Sequence, residues 1–308
     1  MKLKSLAILS LITTPAFGDI FGRGGIPFNM DFVTIGNAGN ADDDTGYGGV
    51  GYNYRMGVNE VSRGMIDTYN TLSSPDLTMS DMTSFGGNGV NRPATGISWN
   101  EAARFVNWLN TSSSFSAAYK FSTGGNNDDI ALWTSADAGY DAANPFRNAN
   151  AHYYLPSEDE WYKAAYYDPN KSGGAGYYNY ATGSDTAPTA VAGGTTSGTA
   201  VYNGQTGPAD ITNAGGLSAY GTMAQSGNAS EWTESASTAP NDTAGESRVL
   251  SGGHWIAAAG VLAASGLGAE SPANELNLVG FRVAAVPEPS ALLLTLIGAL
   301  GVVTRRRR

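Results

Sequence analysis

The chain of 308 residues contains no cysteine. That removes disulfides and thiolate metal ligands together, so stability has to come from a packed core or from bound ions. Histidine is almost as scarce, with only His152 and His254, and no Gly-x-Ser-x-Gly nucleophile elbow appears. Charged residues make up 14% of the chain, and what charge there is leans acidic, to a net −10. The balance turns more acidic still once Lys2, Lys4 and the four terminal arginines are set aside. Such a field discourages nucleic acid and anionic surfaces. A long hydrophobic run is also lacking: the best, Ala291 to Val303, offers about 13 residues where a spanning helix wants roughly 17–25.

The two ends read as addresses. Lys2 and Lys4 precede an apolar stretch from Leu6 to Ile12, and Pro15-Ala16-Phe17-Gly18 supplies small residues before Asp19, the pattern of a secretory signal peptide over residues 1–18. At the other end Pro287, Glu288 and Pro289 stand before the apolar run, and Arg305, Arg306, Arg307 and Arg308 close the chain. Residues 286–308 resemble the PEP-CTERM sorting signal, whose order is Pro-Glu-Pro, hydrophobic helix, basic tail. The resemblance implies export through the Sec machinery and signal peptidase in a Gram-negative-type bacterium. It also implies a short transmembrane helix anchoring the chain in the inner membrane, then processing by an exosortase-type transpeptidase and release to the surface or extracellular matrix. Fold reasoning therefore belongs to residues 19–285, a length sufficient for one sizeable core without covalent staples.

Within that body two helices are legible. Ser98 followed by Glu101, and Ser157 followed by Glu160, are capping boxes that satisfy backbone N–H groups at a helix start. Ala102, Phe105, Val106 and Leu109 then form one apolar stripe, as do Trp161, Ala164 and Ala165. Strands are expected at Phe32–Ile35, Arg248–Leu250 and Phe281–Val283, whereas Lys171 to Gln205 is too weakly patterned for regular structure. Trp99, Trp161, Trp232 and Trp255 sit beside small or polar residues and are expected to fill a core poor in aliphatics. Arg282, expected on a buried strand, needs a carboxylate, which Glu160 or Glu231 can supply. Tyrosines in glycine-rich loops, among them Tyr52, Tyr54 and Tyr177, are expected either to stack on sugar rings or to plug the loops against the core.

Five ordered segments carry a family resemblance: Pro93–Ala102, Tyr154–Trp161, Gly227–Trp232, Arg248–Trp255 and Gly280–Val283. They resemble the formylglycine-generating enzymes, or sulfatase-modifying factors. The resemblance implies an α+β fold of C-type-lectin-like topology, a loop-rich single domain with two flanking helices. The family's oxidases hold copper(I) through two cysteines, and the matching positions are Ala257 and Leu262. This cysteine-free variant therefore lacks formylglycine chemistry, and no copper is expected. The family's arginine before Gly-Gly is Ser251, and its serine after Gly-Gly is His254. Two histidines also cannot assemble the three-histidine iron centre of sulfoxide-forming relatives.

The expected function is a non-catalytic binding or extracellular-matrix protein, its partner an extracellular polysaccharide or an envelope protein. The alternative is an enzyme with a repurposed groove at Ser251, His254 and Trp255, His254 serving as general base. By resemblance, Asn213, the Gly216 carbonyl, Asn228 and Glu231 form a candidate calcium site, since hard oxygen donors suit that ion. Asn40, Asp42, Asp43 and Asp44 are a second candidate. They do not make an EF-hand, because Gly46 falls one place late and the twelfth position is Gly51.

Overall fold

The computed structural model describes residues 17–22, 24–125 and 130–287. Numbering only the strands of its two main sheets, β1 is Phe17–Phe21, β2 Phe28–Ile35, β3 Tyr54–Gly57, β4 Tyr153–Tyr154, β5 Ser230–Ala236, β6 Arg248–Ser251, β7 Gly268–Glu270, β8 Val279–Phe281 and β9 Ala284–Ala285. The first sheet has the order β1-β2-β3-β9-β4 and is antiparallel throughout. The second has the order β7-β6-β5-β8, with β5 and β8 parallel. Alternation drives β2: Met30 and Phe32 are buried while Asn29 and Asp31 face solvent. β1 starts at Phe17, so Gly18, the last residue of the expected leader, pairs with Asp31 in its ladder.

Three helices pack on these sheets: α1 Arg63–Leu72, α2 Trp99–Ser112 and α3 Glu158–Tyr166. Both capping boxes form as the sequence implies. Ser98 Oγ accepts from the Glu101 backbone N–H at 3.1 Å and its own N–H donates to Glu101 Oε2 at 2.9 Å. Ser157 and Glu160 repeat the exchange at 3.2 and 2.7 Å. The α2 stripe of Ala102, Phe105, Val106 and Leu109 is completely buried. The helix beyond the expected two is α1. Its cap is Ser62, which accepts from Met65 N–H, but Met65 stands where a capping box needs an acid, and Gly64 weakens the first turn. Its sequence therefore offers only half of a capping box as a start signal.

The four expected tryptophans are all completely buried. Three give their indole N–H to the interior: Trp99 to the Thr233 carbonyl, Trp232 to the Ile97 carbonyl and Trp161 to Glu231 Oε2. Trp99 and Trp232 thereby tie the α2 entry to β5. Arg282 lies just beyond β8, not inside the strand expected at Phe281–Val283, and with Val283 it carries the chain from one sheet to the other. The stretch from Lys171 to Gln205 contains two-residue ladders only, such as Thr189–Ala190 with Thr199–Ala200.

The expectation of a membrane anchor is corrected. Among the described residues no helix is long and apolar enough to cross a membrane. The described helices α2 and α3 are amphipathic and carry buried Glu101, Glu158 and Glu160. The apolar run Ala291–Val303, about 13 residues against the roughly 17–25 of a span, lies outside the described residues, as do the basic tail and residues 1–16. The inner-membrane localisation built on that run is withdrawn with it.

Candidate functional site

β6 ends at Ser251 and runs into Gly252 and Gly253, whose φ angles of 91° and 71° are left-handed. A Cβ on Gly253 would meet Leu262 Cδ1 at 2.8 Å, so the turn also depends on close approach. The turn sends Trp255 into the core, where its backbone N–H reaches the Asn228 carbonyl at 3.0 Å and its indole nitrogen has no partner. Ser251 is buried as well, and its hydroxyl donates to Glu158 Oε2 at 2.8 Å. Burial pushes the Glu158 carboxyl up to about 8, against the Ser251 hydroxyl bond that lowers it.

Of the three expected groove residues, Ser251 and Trp255 are buried and His254 lines a cavity. That cavity, of about 300 Å³, is walled by Leu250, Val261, Leu276, Leu278 and Val279. His254 Nδ1 is buried with no partner among the described residues, and burial holds its pKa below the ordinary histidine value. The neutral imidazole is therefore favoured.

The positions matching the cysteine pair are both interior. Ala257 and Leu262 pack with Ala200 and Tyr202 in one apolar cluster, and Tyr202 donates to the Pro188 carbonyl at 2.6 Å. Nothing in this cluster can ligate copper(I), which needs soft thiolates. The residues present do not fit the metal, and the oxidase reaction has no centre here.

The calcium candidates are spread over prior commitments. Glu231 takes Arg282 Nε and Nη2 at 2.5 Å each, and the Trp161 indole N–H at 2.7 Å. Asn228 accepts from Ala209 N–H at 2.7 Å and donates to Glu60 Oε2 at 2.6 Å. Asn213 is exposed, and the Gly216 N–H closes a turn onto Thr199. Two of the four donors are thus already engaged with protein partners. In the second candidate, Asp42 accepts from Gly49 N–H at 2.8 Å within the loop, and Asp43 accepts from Tyr162 O–H at 2.5 Å, tying the loop to α3. Among the described residues no group of three or more His, Asp or Glu is placed to hold a metal.

The buried charges are arranged in ways the sequence left open. Arg282 pairs with Glu231, both fully buried. Glu160 goes instead to Arg147, which bridges it to Glu234 at 3.0 Å on each side and lies over the Tyr154 ring at 3.8 Å. Burial alone would raise Glu160, but the Arg147 guanidinium holds it below its ordinary value. Glu60, unmarked by any motif, is buried beside Glu231. Burial first and the Glu231 carboxylate second push it up to about 8. Arg147 sits in an unpatterned Asn- and Ala-rich stretch, and only the fold shows that it has two carboxylate partners.

The tyrosines divide. Tyr54 is fully buried and donates to the Glu160 carbonyl at 2.5 Å, while Tyr47 and Tyr177 pack on Tyr162. Tyr52 is 51% exposed, and its hydroxyl donates to Glu160 Oε1 at 2.8 Å. Tyr52, Asn53, Asp141, Asn144, Arg147 and Tyr154 help to line a cavity of about 370 Å³.

The two sheets, the three helices, the Gly-Gly turn and the paired positions behind it define an α+β scaffold of the formylglycine-generating type with its metal-binding pair replaced. Residues 36–286 match the family model described as the sulfatase-modifying factor enzyme 1-like domain, and the chain belongs to that family. Among solved structures it is similar to Treponema denticola variable protein 1, at 22% identity and a TM-score of 0.57, covering 89% of this chain and 100% of that one. It is also similar to CarF, at 18% identity and 0.57, covering 84% and 99%. PvdO from Pseudomonas aeruginosa matches at 14% identity and 0.54, covering 88% and 98%. Identities this low speak for the fold alone. A search of the curated proteins finds no match.

Proposed function

We propose that the chain is a non-catalytic binding protein on the sulfatase-modifying-factor scaffold, with a polysaccharide as its partner. The observation that carries this reading is the apolar packing of Ala257 and Leu262 against Tyr202 and Ala200, where the family's oxidases hold their copper. A site closed in this way has neither ligands nor room for a reacting thiol. The lectin-like description of the topology belongs to the same proposal, because small sheets with long ordered loops present side chains to a ligand. The test has two arms. With copper salt, oxygen and a sulfatase-type cysteine peptide, the purified chain is expected to form no aldehyde, and formylglycine in the product would refute the reading. On a glycan array the same chain is expected to bind, and silence across the array would remove the polysaccharide.

One observation favours a second reading, an enzyme with a repurposed groove. His254 lines a mostly aliphatic cavity that also takes in Ser230 and Glu270, its Nδ1 has no partner among the described residues, and burial depresses its pKa, the condition of a neutral general base. An activity screen with His254→Ala as control decides it: a turnover that the variant abolishes would establish this reading, and one that it leaves unchanged would exclude the histidine.

A further inference from the structure

We infer that the cavity between Tyr52 and Arg147 is the binding site, and that it selects uncharged sugar rings over acidic ones. The inference rests on the polysaccharide reading and adds to it a place and a specificity.

The first observation is a fixed aromatic platform. Half of the Tyr52 surface is open, yet its hydroxyl is tethered to Glu160, a residue with no exposure at all. The ring also meets Tyr54 edge-on, with centroids 6.2 Å apart. A ring held at both its edge and its hydroxyl loses little entropy when a ligand stacks on its free face. The second observation is an acceptor left waiting. Asn144 donates through Nδ2 to Glu234, and its Oδ1 is buried with no partner among the described residues. A buried acceptor of this kind is costly unless something donates to it; Asn144 lines the cavity, and a small shift of its amide would bring Oδ1 to a sugar hydroxyl.

The third observation concerns donors. Arg147 spends its Nε–H on Glu234 and one N–H from each terminal nitrogen on Glu160. Of the five N–H groups of a guanidinium, two stay available on the cavity side chain that carries them. A stacking face, an acceptor and donors together match the faces of a pyranose, apolar above and hydroxylated around its edge.

Charge then sets the specificity. The one guanidinium of the cavity is already held by Glu160 and Glu234, and Asp141 stands exposed on the wall. Glu160, Glu234 and Asp141 outnumber Arg147 and the Arg248 that stands behind Glu234, so the local field stays negative and a uronate would be repelled where a neutral ring is not. A volume of about 370 Å³ is at the small end for ligand sites, suited to one end or one ring of a glycan chain.

Calorimetric titration of the purified chain tests this, with neutral hexose and N-acetylhexosamine oligomers as one set of probes and oligogalacturonate as the other. Neutral oligomers are expected to bind and the uronate not to. Tyr52→Ala should weaken binding by about tenfold or more, as loss of an anchoring aromatic does. Tyr52→Phe, which keeps the ring, should stay within about threefold, and Asn144→Ala should weaken binding while circular dichroism shows the fold retained. Neutral binding unchanged in both Tyr52→Ala and Asn144→Ala would overturn the site and leave the polysaccharide function standing. Uronate binding as tight as neutral binding would overturn the specificity. No binding of either probe by the folded wild-type chain would overturn the function and the site together.

Discussion

Removing Arg282 should expose how the two sheets are held together. The residue joins β8 to β9 and is fully buried, as is its partner Glu231. Its Nε and Nη2 reach the two carboxylate oxygens of Glu231 at 2.5 Å, Nη1 donates to the Gly57 and Val58 carbonyls at 3.0 and 3.3 Å, and Nη2 also donates to the Met223 carbonyl at 2.8 Å. Arg282→Met keeps the apolar stem but strands Glu231 beside Glu60, leaving two buried carboxyls with no cation. Breaking one side of a buried pair costs about 3–5 kcal/mol. For a domain of this size 1 kcal/mol moves the melting temperature by about 2–4 °C, so a fall of about 6–20 °C is expected.

The pH dependence makes the prediction sharper. An unpaired buried carboxyl has its folded pKa raised above the unfolded value, so its share of stability is intact below the unfolded pKa. That share drains as pH climbs through the folded one. The deficit of Arg282→Met should therefore be larger at pH 8 than at pH 5, and adding Glu231→Gln should recover part of it at pH 8. Thermal melts followed by circular dichroism at the two pH values are the assay. A fall of less than about 3 °C, or an equal fall at both pH values, would refute the reasoning.

Further predictions follow from the same physics. Glu158, raised to about 8 by burial, disfavours folding increasingly as pH rises from near its unfolded value of 4.5 towards 8. Glu158→Gln should flatten that decline and melt higher than wild type at pH 8, and a steeper decline in the variant would contradict the assignment. Ser98→Ala removes one half of a buried capping box and should cost about 0.5–2 kcal/mol in chemical denaturation, with an unchanged midpoint as the opposing result. Because Glu231 and Asn228 are already engaged, EGTA is expected to leave the melting temperature unmoved, whereas a fall of several degrees would place a calcium ion in the fold.

Much of this protein was determined by local chemistry along the chain. Ser98 with Glu101 and Ser157 with Glu160 announce two helices because a capping box is a contact between residues three apart. The missing cysteines remove the family's thiolate pair wherever Ala257 and Leu262 come to lie. Tryptophans beside small residues had to go inside, since few aliphatics were available to fill a core. Tertiary structure decided the rest, because it turned on partners far apart in sequence. Arg282 chose Glu231, whereas Glu160 went to Arg147, and no spacing distinguishes those acids. Tyr52 and Tyr54 are two residues apart in the same kind of loop, yet one ring is sealed in the core and the other is left open at a cavity mouth. Ser251, His254 and Trp255 read alike as groove residues, but Ser251 ends β6 in the interior, and the left-handed turn at Gly252 and Gly253 carries Trp255 inward while His254 meets a cavity wall. Burial and pairing depend on what the remainder of the chain brings alongside, and a linear pattern holds no record of that.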